Sequence, residues 1–160
     1  MFERIVVPLD GSRLSAQAIP YANELAHKFN AEVMLLRVVA DNHTAYATQT
    51  GGFGDNSAMQ IISEQIPLKD VENTAHARRY LMNRAKDVSD NGVSVTYHVI
   101  EGSPARSIME FAEMHEASLI VMMSHGRGRF KRAILGSVTD AIMRGSTIPV
   151  LVIRALGILD

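Results

Sequence analysis

Four stretches of the chain are dense in β-branched and aliphatic residues: Ile5 to Val7, Val33 to Val39, Leu119 to Met123 and Val150 to Ile153. Their apolar positions run on without strict alternation. Such continuity is what a strand needs when helices cover both faces of a parallel sheet. A fifth stretch, Val93 to Ile100, behaves differently: Val93, Val95, Tyr97 and Val99 alternate with Ser94, Thr96 and His98. One face of that strand is predicted to be wetter, as at a sheet edge.

Helical spacing fills the gaps. After Ser12, a residue suited to capping, Leu14, Ala18, Ile19, Ala22, Leu25, Ala26 and Phe29 recur along one helical face. Pro20 falls inside that pattern and would leave the Ala16 carbonyl without its donor, which predicts a kinked helix. Residues 69 to 90 carry Val71, Ala75, Leu81, Ala85 and Val88 among charges, the pattern of an amphipathic surface helix ending before Asn91-Gly92. Ser103-Pro104 supplies a capping residue and a proline at the first helical position, opening a helix through Ile108 and Ala112. A last helix is predicted from Ser137 to Arg144, stopping at Gly145.

Strands and helices therefore alternate along the whole chain. That order predicts an α/β fold with a single open five-stranded parallel sheet, helices on both faces and right-handed crossovers, Rossmann-like in type. Its 160 residues are enough for one domain, 1–160, and too few for two. Residues 40–67, including Gly51-Gly52-Phe53-Gly54-Asp55, read as a flexible insertion suited to motion or to a partner.

Composition narrows the function. A net charge of −1 gives no general attraction to nucleic acid or to an acidic membrane, so any anion site must be local. The absence of cysteine excludes disulfides and thiolate metal sites. The opening apolar run is too short for a signal-peptide core or a membrane span, and together with the missing cysteines it leads to the expectation of a cytoplasmic protein.

The chemistry concentrates near the C-terminus. Ser124-His125-Gly126-Arg127-Gly128 follows an apolar strand, and Gly136-Ser137-Val138-Thr139 opens the last helix. Backbone N–H groups in a glycine-rich turn approach an anion closely, and a helix start aims its positive dipole end at the same charge. The two segments together read as a phosphate cradle. Gly126 and Gly128 have the alternative of a loop that needs positive φ. Ser137 has the alternative of a helix cap paired with Asp140, and Thr139 is a weaker candidate of the same kind. Arg127, Arg129, Lys131 and Arg132 are either a solvated run or a counter-charge to phosphate, with Arg127 the best placed. His125 either orients phosphate or water or is structural.

Open α/β sheets bind ligands beyond the carboxyl ends of their strands, where strand order reverses. Pro8-Leu9-Asp10-Gly11-Ser12 ends the first strand and Ser124-His125-Gly126 ends the fourth. Their placement suggests that these two ends meet, in a sheet of order 3-2-1-4-5.

At these residues the chain resembles the universal stress protein (UspA-like) family over essentially its full length. The resemblance is carried by Ile5-Val6-Val7-Pro8-Leu9-Asp10-Gly11-Ser12, Gly102-Ser103-Pro104, Leu119-Ile120-Val121-Met122, Ser124-His125-Gly126, Gly136-Ser137-Val138 and Pro149-Val150-Leu151-Val152. It implies the 3-2-1-4-5 sheet, frequent homodimers and, in one subgroup, an ATP site. That site is marked by Gly, two residues, Gly, nine residues, then Gly and Ser or Thr. In this chain the second glycine is Gly126, the spacer is Arg127 to Leu135 and the final pair is Gly136-Ser137. The first glycine is replaced by Met123, which takes up space where the family's ATP binders have none filled. The resemblance also implies that Asp10 lies near adenine and ribose, or helps hold Mg2+ bound to ATP, and that Val38 meets adenine through its backbone. Their alternatives are a turn residue and a core valine. The dimer implied would pair the C-terminal strand, 149–154, with its copy, since an edge strand needs cover.

An enzyme of conventional type is not indicated. Gly-x-Ser-x-Gly is absent because position 122 is Met, no Gly-Lys occurs for a P-loop, and His27, His43, His76, His98 and His115 lack ligand spacing. The leading expectation is a stress-response or regulatory protein that binds ATP. Its alternatives are a dimeric interaction protein that has lost the ligand and a slow ATP hydrolase.

Overall fold

The computed structural model describes residues 1–39, 56–124 and 136–155. Five strands are present among them: β1 (Arg4–Pro8), β2 (Glu32–Val39), β3 (Val95–Glu101), β4 (Leu119–Ser124) and β5 (Val150–Arg154). Every pairing is parallel, and the order across the sheet is β3-β2-β1-β4-β5. The chain steps outward from β1 to β3, then returns to the other side of β1, as the motifs suggested. In register, Val6 lies between Met34 of β2 and Ile120 of β4.

Successive residues of the central strands feed opposite faces, and both faces are covered. Ile5, Val7, Leu35 and Val121 belong to a core that includes Ala18, Ala22, Leu81 and Val88. Val6, Leu36, Ile120 and Met122 belong to a second core with Ile108, Phe111, Ala112 and Ile142. The unbroken apolar runs of the sequence are thus two alternating rows, each with its own helical layer. β3 lies at an edge, and its Thr96 and Tyr97 are exposed.

The helices are α1 (Arg13–Ala16), α2 (Ala18–Phe29), α3 (Asn56–Ser89), α4 (Pro104–Met114) and α5 (Ser137–Gly145). Two differ from expectation. The break in the first helical segment falls at Gln17, not at Pro20. Starting a new helix at Ala18 makes Pro20 its third residue, where a backbone N–H would have no intrahelical acceptor, so the missing donor costs little. Asn30 then ends α2 in the left-handed conformation at φ 53°. The third helix begins at Asn56 instead of residue 69, so the segment expected to be irregular from 40 to 67 is helical from Asn56 onward. Pro67 looks like a boundary in the sequence, but residues 56–66 contain no glycine and include Met59, Gln60, Glu64 and Gln65, all strong helix formers. Residues 40–55 lie outside the described residues.

α4 and α5 shape one side of the sheet's carboxyl end. Pro104 takes the first helical position of α4 after Ser103, as its spacing predicted, although the Ser103 side chain makes no capping bond. In α5 the cap is Gly136, and Ser137 is the first helical residue. The Ser137–Asp140 capping pair therefore does not form. Asp140 Oδ2 instead accepts a 2.9 Å hydrogen bond from Arg144 Nε, one turn further along.

Candidate functional site

A cavity of about 270 Å3 opens at the carboxyl ends of β1, β2 and β4, where the strand order reverses. Pro8, Leu9 and Asp10 line it from the end of β1, Val38 from β2 and Met123 from β4. Gly136, Ser137, Val138 and Thr139 close it from the start of α5. Segments more than a hundred residues apart in sequence thus share one small volume. Ser124, the last residue of β4, is buried, and among the described residues its Oγ has no hydrogen-bond partner. His125, Gly126, Arg127 and Gly128 lie outside the described residues, as do Arg129, Lys131 and Arg132.

Sequence reasoning missed part of the wall. Ser12, Leu14 and Ser15 border the cavity beside Asp10, and Leu36, Pro104, Ile108 and Met122 form much of its apolar side. Pro104 had a signal, since the Gly102-Ser103-Pro104 turn follows β3. Leu36 and Met122 had none, because core residues and lining residues look alike within a strand.

The turn after β1 is built to present a carboxylate. Gly11 adopts φ +88°, which lets the chain reverse directly after Asp10. The Ser12 backbone N–H then donates to Asp10 Oδ1 at 2.8 Å, and the Ser15 N–H donates to Ser12 Oγ at 3.0 Å, capping α1. Burial is the largest single influence on Asp10 and pushes its pKa up. The hydrogen bonds from Ser12 and Ser15 together outweigh it, so the net displacement is downward and the carboxylate is held ionised.

Across the cavity, Gly136 caps α5 at φ −53°, a backbone that any residue adopts. A β-carbon there would meet nothing within 4 Å. Glycine at 136 is therefore not demanded by conformation or by crowding; its effect is to leave the approach to the first turn of α5 open. The amides of that turn have no intrahelical acceptors, and the helix dipole adds a partial positive charge at the same end.

The Met123 side chain is half-buried and packs against the core that contains Ala18, Ala22 and Val121, while also contributing to the cavity wall. Strand alternation accounts for this. Ile120 and Met122 point into the layer of α4 and α5, whereas Val121 and Met123 point towards α1 and α2. Much of its bulk is thus taken up by packing.

The arrangement combines an apolar slot, a fixed carboxylate and an open helix N-terminus. A ligand with a flat apolar ring and an anionic group fits that chemistry. Among the described residues, no group of three or more His, Cys, Asp or Glu could hold a metal ion. No helix of the described residues is long and apolar enough to cross a membrane.

Sheet order, helical layers and the cavity at the switch point define a doubly wound α/β protein. The model of the universal stress protein family matches residues 1–154, and the chain belongs to that family. Universal stress protein MJ0531 of Methanocaldococcus jannaschii is 31% identical over 155 residues, covering 96% of this chain and 83% of that protein. Universal stress protein YxiE of Bacillus subtilis is 30% identical over 156 residues, covering 96% and 100%. The solved structure of M. jannaschii MJ0577 superposes with a TM-score of 0.75 at 28% identity, covering 98% of both chains. Two more distant structures of the same fold hold nucleotides. One is a universal stress protein in complex with cAMP, 20% identical, and the other is that of Archaeoglobus fulgidus in complex with dAMP, 18% identical.

Proposed function

We propose that this universal stress protein binds ATP in the cavity between Asp10 and the start of α5, and acts as a nucleotide-dependent stress-response or regulatory protein of the cytoplasm. The observation that carries the reading is the opposition of two lips: Asp10 on one side, and Gly136-Ser137 with the open first turn of α5 on the other. The base would lie against Leu36, Val38, Ile108 and Met122. The ribose hydroxyls would donate to the Asp10 carboxylate, and phosphate would meet the α5 amides and the exposed Ser137 hydroxyl. The cAMP and dAMP complexes of distant relatives support an adenine nucleotide as the ligand class.

Mg2+ fits the donor set in its usual form. Asp10 is the sole carboxylate among the cavity's described lining, and Mg2+ in nucleotide sites is commonly held by one or two carboxylates together with substrate phosphates and water. The ion would supply charge neutralisation for the phosphates.

Mass spectrometry of the ligand released from gently purified protein, with thermal denaturation in millimolar Mg-ATP, tests the reading. A bound adenine nucleotide or a rise in Tm supports it, and no Tm change at millimolar nucleotide overturns it. A second reading, a dimeric interaction protein without nucleotide, is favoured by Met123 in the cavity wall and by the exposed Leu151 on edge strand β5. In either case the segment 149–154 would pair with its copy to form a homodimer.

A further inference from the structure

The Asp10 turn is braced from behind the sheet. Arg37 continues the Val33–Leu35 row of β2, on the face covered by α2 and α3 and opposite to Leu36 and Val38. Its guanidinium lies where a side chain on Gly11 would begin: a β-carbon there would collide with Nη1, with Cζ at 3.0 Å and Nη2 at 3.1 Å. On its other side the Arg37 guanidinium sits 5.5 Å from the centre of the Tyr80 ring, in α3. Arg84, one turn along, sits 5.4 Å from the same ring and is paired with Asp87. Among the described residues, the buried Arg37 Nε has no hydrogen-bond partner, and neither has Tyr80 Oη. Among the described residues the guanidinium is therefore placed by its contact with the Tyr80 ring and by the gap that Gly11 leaves.

We propose that Arg37 is a positioning residue that braces the Asp10–Gly11–Ser12 turn and ties its geometry to α3 through Tyr80. Displacing Tyr80 frees the guanidinium, and a free guanidinium no longer backs the turn that aims the Asp10 carboxylate. The reverse also holds: a ligand that draws Asp10 into the cavity changes the contact between the turn and Arg37 and so biases the packing of α3. The first arm of the test is independent of any ligand, and only the second rests on the nucleotide reading above.

In the first arm the backbone amide proton shifts and exchange rates of Ser12 and Ser15 are followed by NMR in the full chain, in Arg37→Met, Tyr80→Leu and the double variant. Loosening the turn weakens the hydrogen bonds that these amides donate to Asp10 Oδ1 and Ser12 Oγ, so both amides should move upfield and exchange faster in each single variant. The double variant should change no further than the larger single effect. Arg37→Lys keeps the charge but loses the flat guanidinium and should behave like Arg37→Met; it also serves if the methionine variant does not fold. Unchanged amides in Arg37→Met, additive effects in the double variant, or wild-type amides in Arg37→Lys each overturns the proposal. In the second arm, Mg-ATP affinity should fall roughly threefold to tenfold in Arg37→Met and Tyr80→Leu alike. Wild-type protein that binds no ATP would sink the nucleotide reading, and the amide measurements would still decide the relay.

Discussion

Asp10 Oδ1 accepts a 2.8 Å hydrogen bond from the Ser12 backbone N–H across a glycine at φ +88°. This short loop turns the end of a buried strand into a fixed carboxylate and starts α1 with the same residues. The same turn therefore serves fold and site. A conventional β-strand end would let Asp10 swing in solvent, whereas here two serines and the glycine set its direction.

Asp10→Ala should separate those two roles from Asp10→Asn. The alanine variant loses the acceptor for the Ser12 amide, and because the site is exposed, water replaces the bond and the loss should be about 0.5–1 kcal/mol. The asparagine variant keeps an oxygen there and should unfold close to wild type, yet both should lose the Mg-ATP thermal shift. Because the folded pKa of Asp10 is below its ordinary value of 3.8, its ionisation contributes stability that is complete above that value and lost as pH falls through the folded one. Denaturant unfolding between pH 6 and 3 measures this: neither Asp10 variant should show that portion of the acid loss.

Much of this architecture was legible because the physics is local. The runs around Val6, Leu35 and Val121 announce a sheet covered on both sides, and Pro104 and Gly136 mark helix starts. The strand order came from motif placement, since periodicity says nothing of which strands are neighbours. What stayed hidden depends on tertiary packing. Pro20 showed that a break was needed, but not that the break would fall at Gln17, where Pro20 becomes the third residue of a new helix. Pro67 concealed the first turns of α3. Within the site, Asp10, Gly136 and Ser137 stood out by chemistry, whereas Leu36, Ile108 and Met122 are apolar residues whose second role appears only when the cavity is seen. Arg37 in an apolar strand was a polar exception whose partner, Gly11, lies on another strand's turn.

His98 should make the edge of the sheet sensitive to acid. Its ring lies 5.4 Å from that of His115 and 4.9 Å from Phe111, and Phe111 stacks on His115 at 3.9 Å. Thr96 Oγ1 is 3.3 Å from His98 Nε2 and donates to Glu32 Oε1 at 3.1 Å. Burial lowers the pKa of His98 most, repulsion from His115 adds to this, and Glu32 opposes both. The folded value is below 6.5, so the unfolded chain takes up the proton first. Stability is complete above about pH 6.5 and should fall between that value and the folded one. His98→Gln should flatten the slope of Tm against pH from 7.5 to 5; an unchanged slope would show that other groups cause it.

The β5 edge should govern association. Val150 to Arg154 pairs only with β4 among the described strands, leaving its outer backbone unpaired, and Leu151 is exposed beside Tyr21 and Leu25 of α2. An extended edge with apolar side chains is an open template for a second strand, and a lysine there opposes pairing by its charge and hydration. Leu151→Lys should convert a dimer to a monomer in light scattering with little change in the far-UV circular dichroism spectrum. A wild-type chain that is monomeric at tens of micromolar would remove the basis for this expectation.

Met123 decides how much room the nucleotide reading has. Its side chain packs towards α1 and α2 and also walls the cavity, so Met123→Gly should act on stability and binding in opposite directions. Removing a half-buried methionine from a strand and replacing it with glycine should cost roughly 1–3 kcal/mol, through lost packing and greater freedom of the unfolded chain. The same change opens the wall beside Pro8 and Asp10, and Mg-ATP affinity should rise. Isothermal titration and denaturant unfolding on one preparation separate the two effects. If affinity stays constant while stability falls, the methionine is only a packing residue and the cavity already holds its ligand without the motif's first glycine. If affinity appears only in the glycine variant, the native chain is the ligand-free interaction protein, and Met123 is the residue that closed its site.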